Sequence, residues 1–304
     1  MAKSVAFGYG LGSFRFVGHC WAVGCTGKDL TQKKEGGIMR RRAWLLLAAV
    51  ALGLGACTTG LPIDTSLRAS GQDSRVRFIV LHYTSENRSD SLRLLTQDRV
   101  SAHYLITDEP VRIFSLVDEN RRAWHAGQSQ WFEYPNLNAM SIGIEIVNAG
   151  PLDTGHTRWA PYSPSQIRML AALLREIQSR HHVSAWNIVA HSDIAPLRKS
   201  DPGPAFPWRE LALQGLGRWY DEAAVAQRIP LLSARALADA SYIQRLLARI
   251  GYPIVQSGVW DPQTRQVVRA FQMHYRPAEY SGRVDRQTVA IAEDLARQIP
   301  VPQQ

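Results

Sequence analysis

Two short apolar runs in this chain each end in a histidine. Phe78-Ile79-Val80-Leu81 runs into His82, and the stretch Trp186–Ala190 runs into His191. Apolar runs of this length, bounded by polar residues, read as buried strands. Two such strands, each delivering an imidazole at its end, constrain the chain to a sheet with polar residues gathered beyond its strand ends. Sheets flanked by helices place their sites there. Asp201 lies ten residues after His191, with Lys199 two residues before it and Pro202 and Pro204 stiffening the chain just beyond it. Two imidazoles and a carboxylate suit catalytic zinc and leave a fourth position open for water. Taken singly, each residue has a plainer reading: a buried, hydrogen-bonded His, a turn Asp before Pro, a solvated loop Lys.

The rest of the chain supports a mixed architecture. Val76–Leu81 reads as a strand and Ser89–Arg99 as a short helix. His103–Thr107 and Arg112–Val117 read as strands joined through Asp108-Glu109-Pro110. Ser141–Asn148 alternates at first, with Ile142, Ile144 and Ile146 on one face and Glu145 on the other. Ser163-Pro164-Ser165-Gln166 is a helix start, with Ser as cap and Gln completing the capping box, and Ile167, Leu170, Leu174 and Ile177 follow at helical spacing. Strands and helices do not alternate strictly, so the expected fold class is α/β, a mixed central sheet flanked by helices. Asp221–Leu237 reads as a linker or linking helix. Three helical stretches come next, Ala240–Ile250, Thr264–Tyr275 and Arg286–Gln298, as a small three-helix C-terminal domain. Gly258-Val259-Trp260-Asp261-Pro262-Gln263-Thr264 is echoed by Gly282-Arg283-Val284-Asp285-Arg286-Gln287-Thr288, each a Gly turn and an Asp cap.

The amino-terminal part reads differently. Residues 1–38 are Gly-rich and polar, and are expected to be an extension ahead of a true start at Met39. Arg40-Arg41-Arg42, an apolar run from Trp44 to Leu54, and Leu54-Gly55-Ala56-Cys57 have the register of a signal peptide over 39–56. The segment resembles a bacterial lipobox, which implies lipidation at Cys57. Thr58 in the next position implies the periplasmic face of the outer membrane, and the plainer alternative is an N-terminal anchor with an incidental Cys. Residues 57–74 then form a tether. Beyond Cys57 there is no further Cys, so a mature chain that runs from Cys57 to Gln304 is expected to form no intramolecular disulfide. The net charge of +9 suits an anionic partner such as cell wall or lipid head groups. No nucleic-acid module is present in the sequence, and an export signal argues against that partner.

Five segments together carry a resemblance. Ile79–Thr84, Val100–Ile106, Ala123-Trp124-His125-Ala126-Gly127, Ser141–Glu145 and His191–Pro204 occur in the order, type and spacing seen in the zinc-dependent N-acetylmuramoyl-L-alanine amidases of the type 2 amidase family. The resemblance implies an amidase domain over 75–220, with His82, His191 and Asp201 as zinc ligands. It implies Glu145 as general base and Lys199 as the cation that stabilises the oxyanion. His125 and Tyr83 are candidate substrate contacts, and His103 matches a family position without a clear role. After a linker at 221–235, residues 236–300 resemble a three-helix peptidoglycan-binding domain. That domain is expected to add wall affinity but no chemistry, because every candidate catalytic residue precedes Trp208. The expected activity is hydrolysis of the amide between N-acetylmuramic acid, or its anhydro form, and L-alanine, by a monomer acting on peptidoglycan or muropeptides. Two rivals stay open: a catalytically silent peptidoglycan-binding or sensor lipoprotein, and a zinc peptidase acting on the stem peptide.

Overall fold

The computed structural model describes residues 61 and 63–299. The signal-like segment 39–56, the extension before it and Cys57 lie outside the described residues. Among the described residues no helix is long and apolar enough to cross a membrane.

The elements run β1 (Phe78–Tyr83), α1 (Arg88–Gln97), β2 (Tyr104–Ile106), β3 (Ile113–Ser115), the small pair β4 (Gln130–Trp131) and β5 (Tyr134–Pro135), and β6 (Ser141–Ile146). Next come α2 (Pro164–His181), β7 (Ile188–Ala190), α3 (His191–Ile194), α4 (Trp208–Ala212), α5 (Glu222–Arg228), α6 (Ala234–Ala238), α7 (Ala240–Ile250), α8 (Pro262–Tyr275) and α9 (Arg286–Gln298). The five-stranded sheet has the order β3-β2-β6-β1-β7. It is mixed, with β1 parallel to β6 and β7, β2 parallel to β6, and β3 antiparallel to β2.

Several ends differ from the sequence reading. The strand expected over Trp186–Ala190 is confined to β7, because Ser184 accepts the Trp186 amide and winds Ala185–Asn187 into a 3-10 turn. The strand expected to start at Arg112 starts at Ile113, because the Thr107 hydroxyl accepts the Arg112 amide and closes the turn. α1 begins at Arg88 because Asn87 caps it. The capping box at Ser163 and Gln166 forms as expected. Asp221–Leu237 carries caps of its own, Asp221 for α5 and Ser233 for α6, and is mostly helical.

The two faces of the sheet are covered differently. Ile79 and Leu81 pair in register with Ile142 and Ile144, and these side chains form one apolar face under α2, packed by Ile167, Leu170, Leu174 and Ile177. Each such fully buried aliphatic side chain contributes roughly 1.5–3 kcal/mol. Phe78, Val80 and Val189 lie in a second cluster with Trp131, Leu137 and Ile194. That cluster also includes Tyr252, Val267 and Phe271 from the C-terminal helices. Those helices therefore share a core with the sheet. The echo within them is structural: Asp261 caps Thr264 and Asp285 caps Thr288. In each repeat a fully buried glutamine from the preceding helix, Gln244 or Gln272, accepts the turn Gly amide and donates to the Thr hydroxyl.

Candidate metal centre and active site

The sheet register assembles the site. His82 on β1 pairs with Glu145 on β6, and Leu81 pairs with Ala190 at the end of β7, so the next residue, His191, falls beside His82. Parallel strands in register put paired side chains on one face, which brings Glu145 and His82 to the same side. The Asp201 loop is tied in through its backbone: the Ser192 amide donates to the Asp201 carbonyl at 2.9 Å. His82 Nδ1, His191 Nδ1 and Asp201 Oδ2 lie 2.9 Å from one another, and all three residues are buried.

The partners behind these residues fix which nitrogen faces the centre. Ser141 Oγ donates to the Leu137 carbonyl, so it accepts from His125 Nε2 at 3.1 Å. His125 Nδ1 is then left as the acceptor for His82 Nε2–H at 3.1 Å, and His82 Nδ1 carries a free lone pair. His191 Nε2–H donates to the Ala126 carbonyl at 3.1 Å, which likewise frees its Nδ1. Burial, then the neighbouring His191, holds His82 down at about 4, and burial holds His125 well below the ordinary value. Burial opposes ionisation of Asp201, yet His191 and His82 beside it keep its carboxyl below the usual range. Two bare imidazole nitrogens and a carboxylate oxygen pointing at one another have no proton to share. A cation resolves that convergence, and the donor set fits a metal ion.

Glu145 Oε1 lies 4.0 Å from His82 Nδ1, and Glu145 Oε2 has no partner among the described residues. Burial, then the Asp201 carboxylate, pushes its carboxyl well above the ordinary range, while Lys199 pulls the other way. Lys199 is exposed and lines the same cleft of about 430 Å³ with Tyr83, Trp124, His125 and Ser200. It is the single lysine from Cys57 to Gln304, where every other cationic side chain apart from histidine is Arg. Tyr83 is half-buried and its hydroxyl bonds Ser200 Oγ at 2.8 Å. His125 also borders the cleft, but both ring nitrogens are engaged with protein. His103 is fully buried; it accepts the Gly143 amide through Nδ1 and donates from Nε2 to the Arg121 carbonyl.

The residues that sequence reasoning missed are Ser141, Ala126, Asp193 and Arg198. Ser141 was signalled by its place, with Gly143 and Glu145, on the face opposite the isoleucines. Gly143 is required there, since a Cβ would come within 2.3 Å of the His125 ring. Arg198 donates to the Ala126 and Gln128 carbonyls and anchors the Lys199 loop over the Ala126–Gln128 turn.

Residues 72–204 match the N-acetylmuramoyl-L-alanine amidase family model, and residues 238–291 match a peptidoglycan binding domain model. The N-acetylmuramoyl-L-alanine amidase AmiD of Escherichia coli is 41% identical over 270 residues, which span 84% of this chain and 98% of that relative. The 1,6-anhydro-N-acetylmuramyl-L-alanine amidase AmpD of Escherichia coli is 42% identical over 110 residues, 36% of this chain and 55% of that one. The solved complex of AmiD from E. coli with the substrate anhydro-N-acetylmuramic acid-L-Ala-D-gamma-Glu-L-Lys aligns with a TM-score of 0.72 at 40% identity, covering 79% of this chain and 96% of that chain. AmpDh3 from Pseudomonas aeruginosa aligns at 0.73 and 40% identity, covering 80% and 100%.

Proposed function

This chain belongs to the N-acetylmuramoyl-L-alanine amidase family, and we propose that it hydrolyses the amide joining N-acetylmuramic acid, or its anhydro form, to L-alanine. The observation that carries this reading is the row Glu145–His82–His191: a half-buried glutamate whose Oε2 is buried and has no partner among the described residues, beside three converging metal donors. His82, His191 and Asp201 hold zinc in this reading. Zinc, when bound, supplies Lewis-acid activation of water and carbonyl. Glu145, whose carboxylate is made more basic by burial, takes a proton from the attacking water and passes it to the departing L-alanine nitrogen. Lys199 stabilises the negative charge that develops on the lactyl carbonyl oxygen. Its presence in a stretch, Cys57 to Gln304, whose other non-histidine cations are all Arg supports a role that needs a compact ammonium. Exposed Trp124 and Val100 on the cleft rim offer apolar area to a sugar ring or stem peptide.

The helical module over 236–300 adds affinity for peptidoglycan in this reading, as its family match suggests. The Arg40–Cys57 segment supports lipidation at Cys57 and placement on the periplasmic face of the outer membrane. Mass analysis of products from a defined anhydro-muropeptide tests the reaction. Free anhydro-N-acetylmuramic acid plus an intact stem peptide is expected, and products cut within the stem would replace the amidase reading with a peptidase.

A further inference from the structure

Asp193 is fully buried, and it sits in the third position of the one-turn helix that begins with His191. Its Oδ2 accepts the Ala190 amide at 2.8 Å, the peptide immediately before His191. The same oxygen accepts from His274 Nδ1 at 2.7 Å, and Oδ1 accepts from the Tyr252 hydroxyl at 2.6 Å. Tyr252 follows α7 and His274 lies in α8, so two of the three donors come from the C-terminal helices. His274 is held in turn by stacking on Trp208 and Tyr275, each with ring centroids 3.9 Å away. Around this polar knot, Val80, Val189 and Ile194 share a core with Tyr252, Val267 and Phe271.

A buried carboxylate is stable only while its lone pairs are met, and the loss of one donor leaves it under-paired where water cannot substitute. The backbone that Asp193 fixes leads directly into His191. The next amide, that of Ser192, fixes the Asp201 carbonyl at 2.9 Å. Two of the three metal donors therefore hang on a turn whose central carboxylate is clamped from the other part of the chain.

We propose that the C-terminal helical module is a structural part of the metal centre, with Tyr252 and His274 as positioning residues that act through Asp193 on His191 and Asp201. The inference rests on the reading of His191 and Asp201 as metal ligands. It replaces the expectation of a module that contributes wall affinity alone. The module's own contacts set how tightly the ligands are held, so a change in its packing changes metal affinity without touching a ligand.

Zinc affinity of the full chain, measured by competition with a chromogenic chelator, tests this. Tyr252→Phe and His274→Leu are each expected to weaken zinc binding about 10–100-fold, the scale for partners that orient metal ligands. His274→Asn places an amide N–H where Nδ1–H stood and is expected to return affinity to within a few-fold of the parent. Tyr242→Phe removes a hydroxyl that bonds Glu293 in the same module, away from Asp193, and is expected to leave zinc affinity unchanged. Parental affinity in both Tyr252→Phe and His274→Leu overturns the proposal. Equal weakening in His274→Leu and His274→Asn also overturns it, since the donor would then not matter. If His274→Leu does not fold, Tyr252→Phe, which loses one oxygen and keeps its ring, remains decisive. Full zinc binding by His191→Ala would instead defeat the ligand reading itself.

Discussion

The two faces of the β6–β1 pair are built from alternate residues of the same two strands, and they work by different rules. On one face Ile142, Ile144, Ile146, Ile79 and Leu81 are fully buried under α2 and need only volume and shape. On the other, Ser141, Gly143 and Glu145 stand beside Phe78, Val80 and His82, and individual atoms decide the outcome. Gly143 makes room for the His125 ring, Ser141 sets its tautomer, and Glu145 keeps an oxygen with no partner among the described residues beside the candidate metal donors. The first face is redundant, since a neighbour can absorb a lost methylene. The second has little slack, because the Ser141 hydroxyl and the His125 and His82 rings each depend on a specific partner atom. Substitutions on the two faces should therefore separate stability from chemistry.

The largest separation is expected at the cleft. Glu145→Ala and Lys199→Ala should fold and keep zinc while losing turnover by about 10²-fold or more, the scale for one acid–base or oxyanion group. The loss should fall on kcat more than on KM, and steady-state kinetics with a soluble muropeptide measures both. Wild-type turnover in both, with zinc retained, would make this face as passive as the other.

One layer back, Ser141→Ala removes the acceptor for His125 Nε2–H and frees the His82 tautomer. A weakening of zinc affinity by about 10–100-fold is expected, with the fold kept, from chelator competition. Unchanged affinity would mean that the relay through His125 does not matter.

Acid should act through the same face. His82 is held down at about 4 in the folded metal-free protein by burial and by His191, against about 6.5 in the unfolded chain. Between these values the unfolded chain binds more protons, so stability rises with pH. The contribution of His82 is present above about 6.5 and is lost as pH falls toward 4. In metal-free Glu145→Gln, which removes the opposing titration of the raised Glu145 carboxyl, the melting temperature is expected to drop across that window, and a flat profile would contradict a buried neutral His82.

The smallest effect is expected opposite. Ile144→Val should cost roughly 0.5–1.5 kcal/mol of stability in denaturant melts and leave zinc affinity and turnover unchanged. A large loss of activity there would break the division between the faces.

The sequence exposed the first face and the ends of the second. Alternation over Ser141–Ile146 set the isoleucines against Glu145, and the two His-terminated runs marked the strands that meet at the site. The Ser163 box placed the start of α2. What stayed hidden depends on distant pairing. Asp193 meets Tyr252 and His274 across separations of 59 and 81 residues. No local pattern distinguishes that aspartate from an ordinary residue of a short helix. His125 was legible as a motif member, but its bond to His82 depends on the hydroxyl of Ser141, which follows it by 16 residues. Lys199, the single lysine from Cys57 to Gln304, was a signal in composition that needs only a count.

The central claim is that His82, His191 and Asp201 hold the metal on which hydrolysis depends. The most direct measurement is the zinc content of the purified full chain and of His191→Ala, read by elemental analysis alongside muropeptide cleavage. One zinc per chain is expected in the parent. In His191→Ala both zinc and cleavage should largely disappear, with addition of zinc failing to restore the parental rate. Full zinc and parental turnover in His191→Ala would contradict the account.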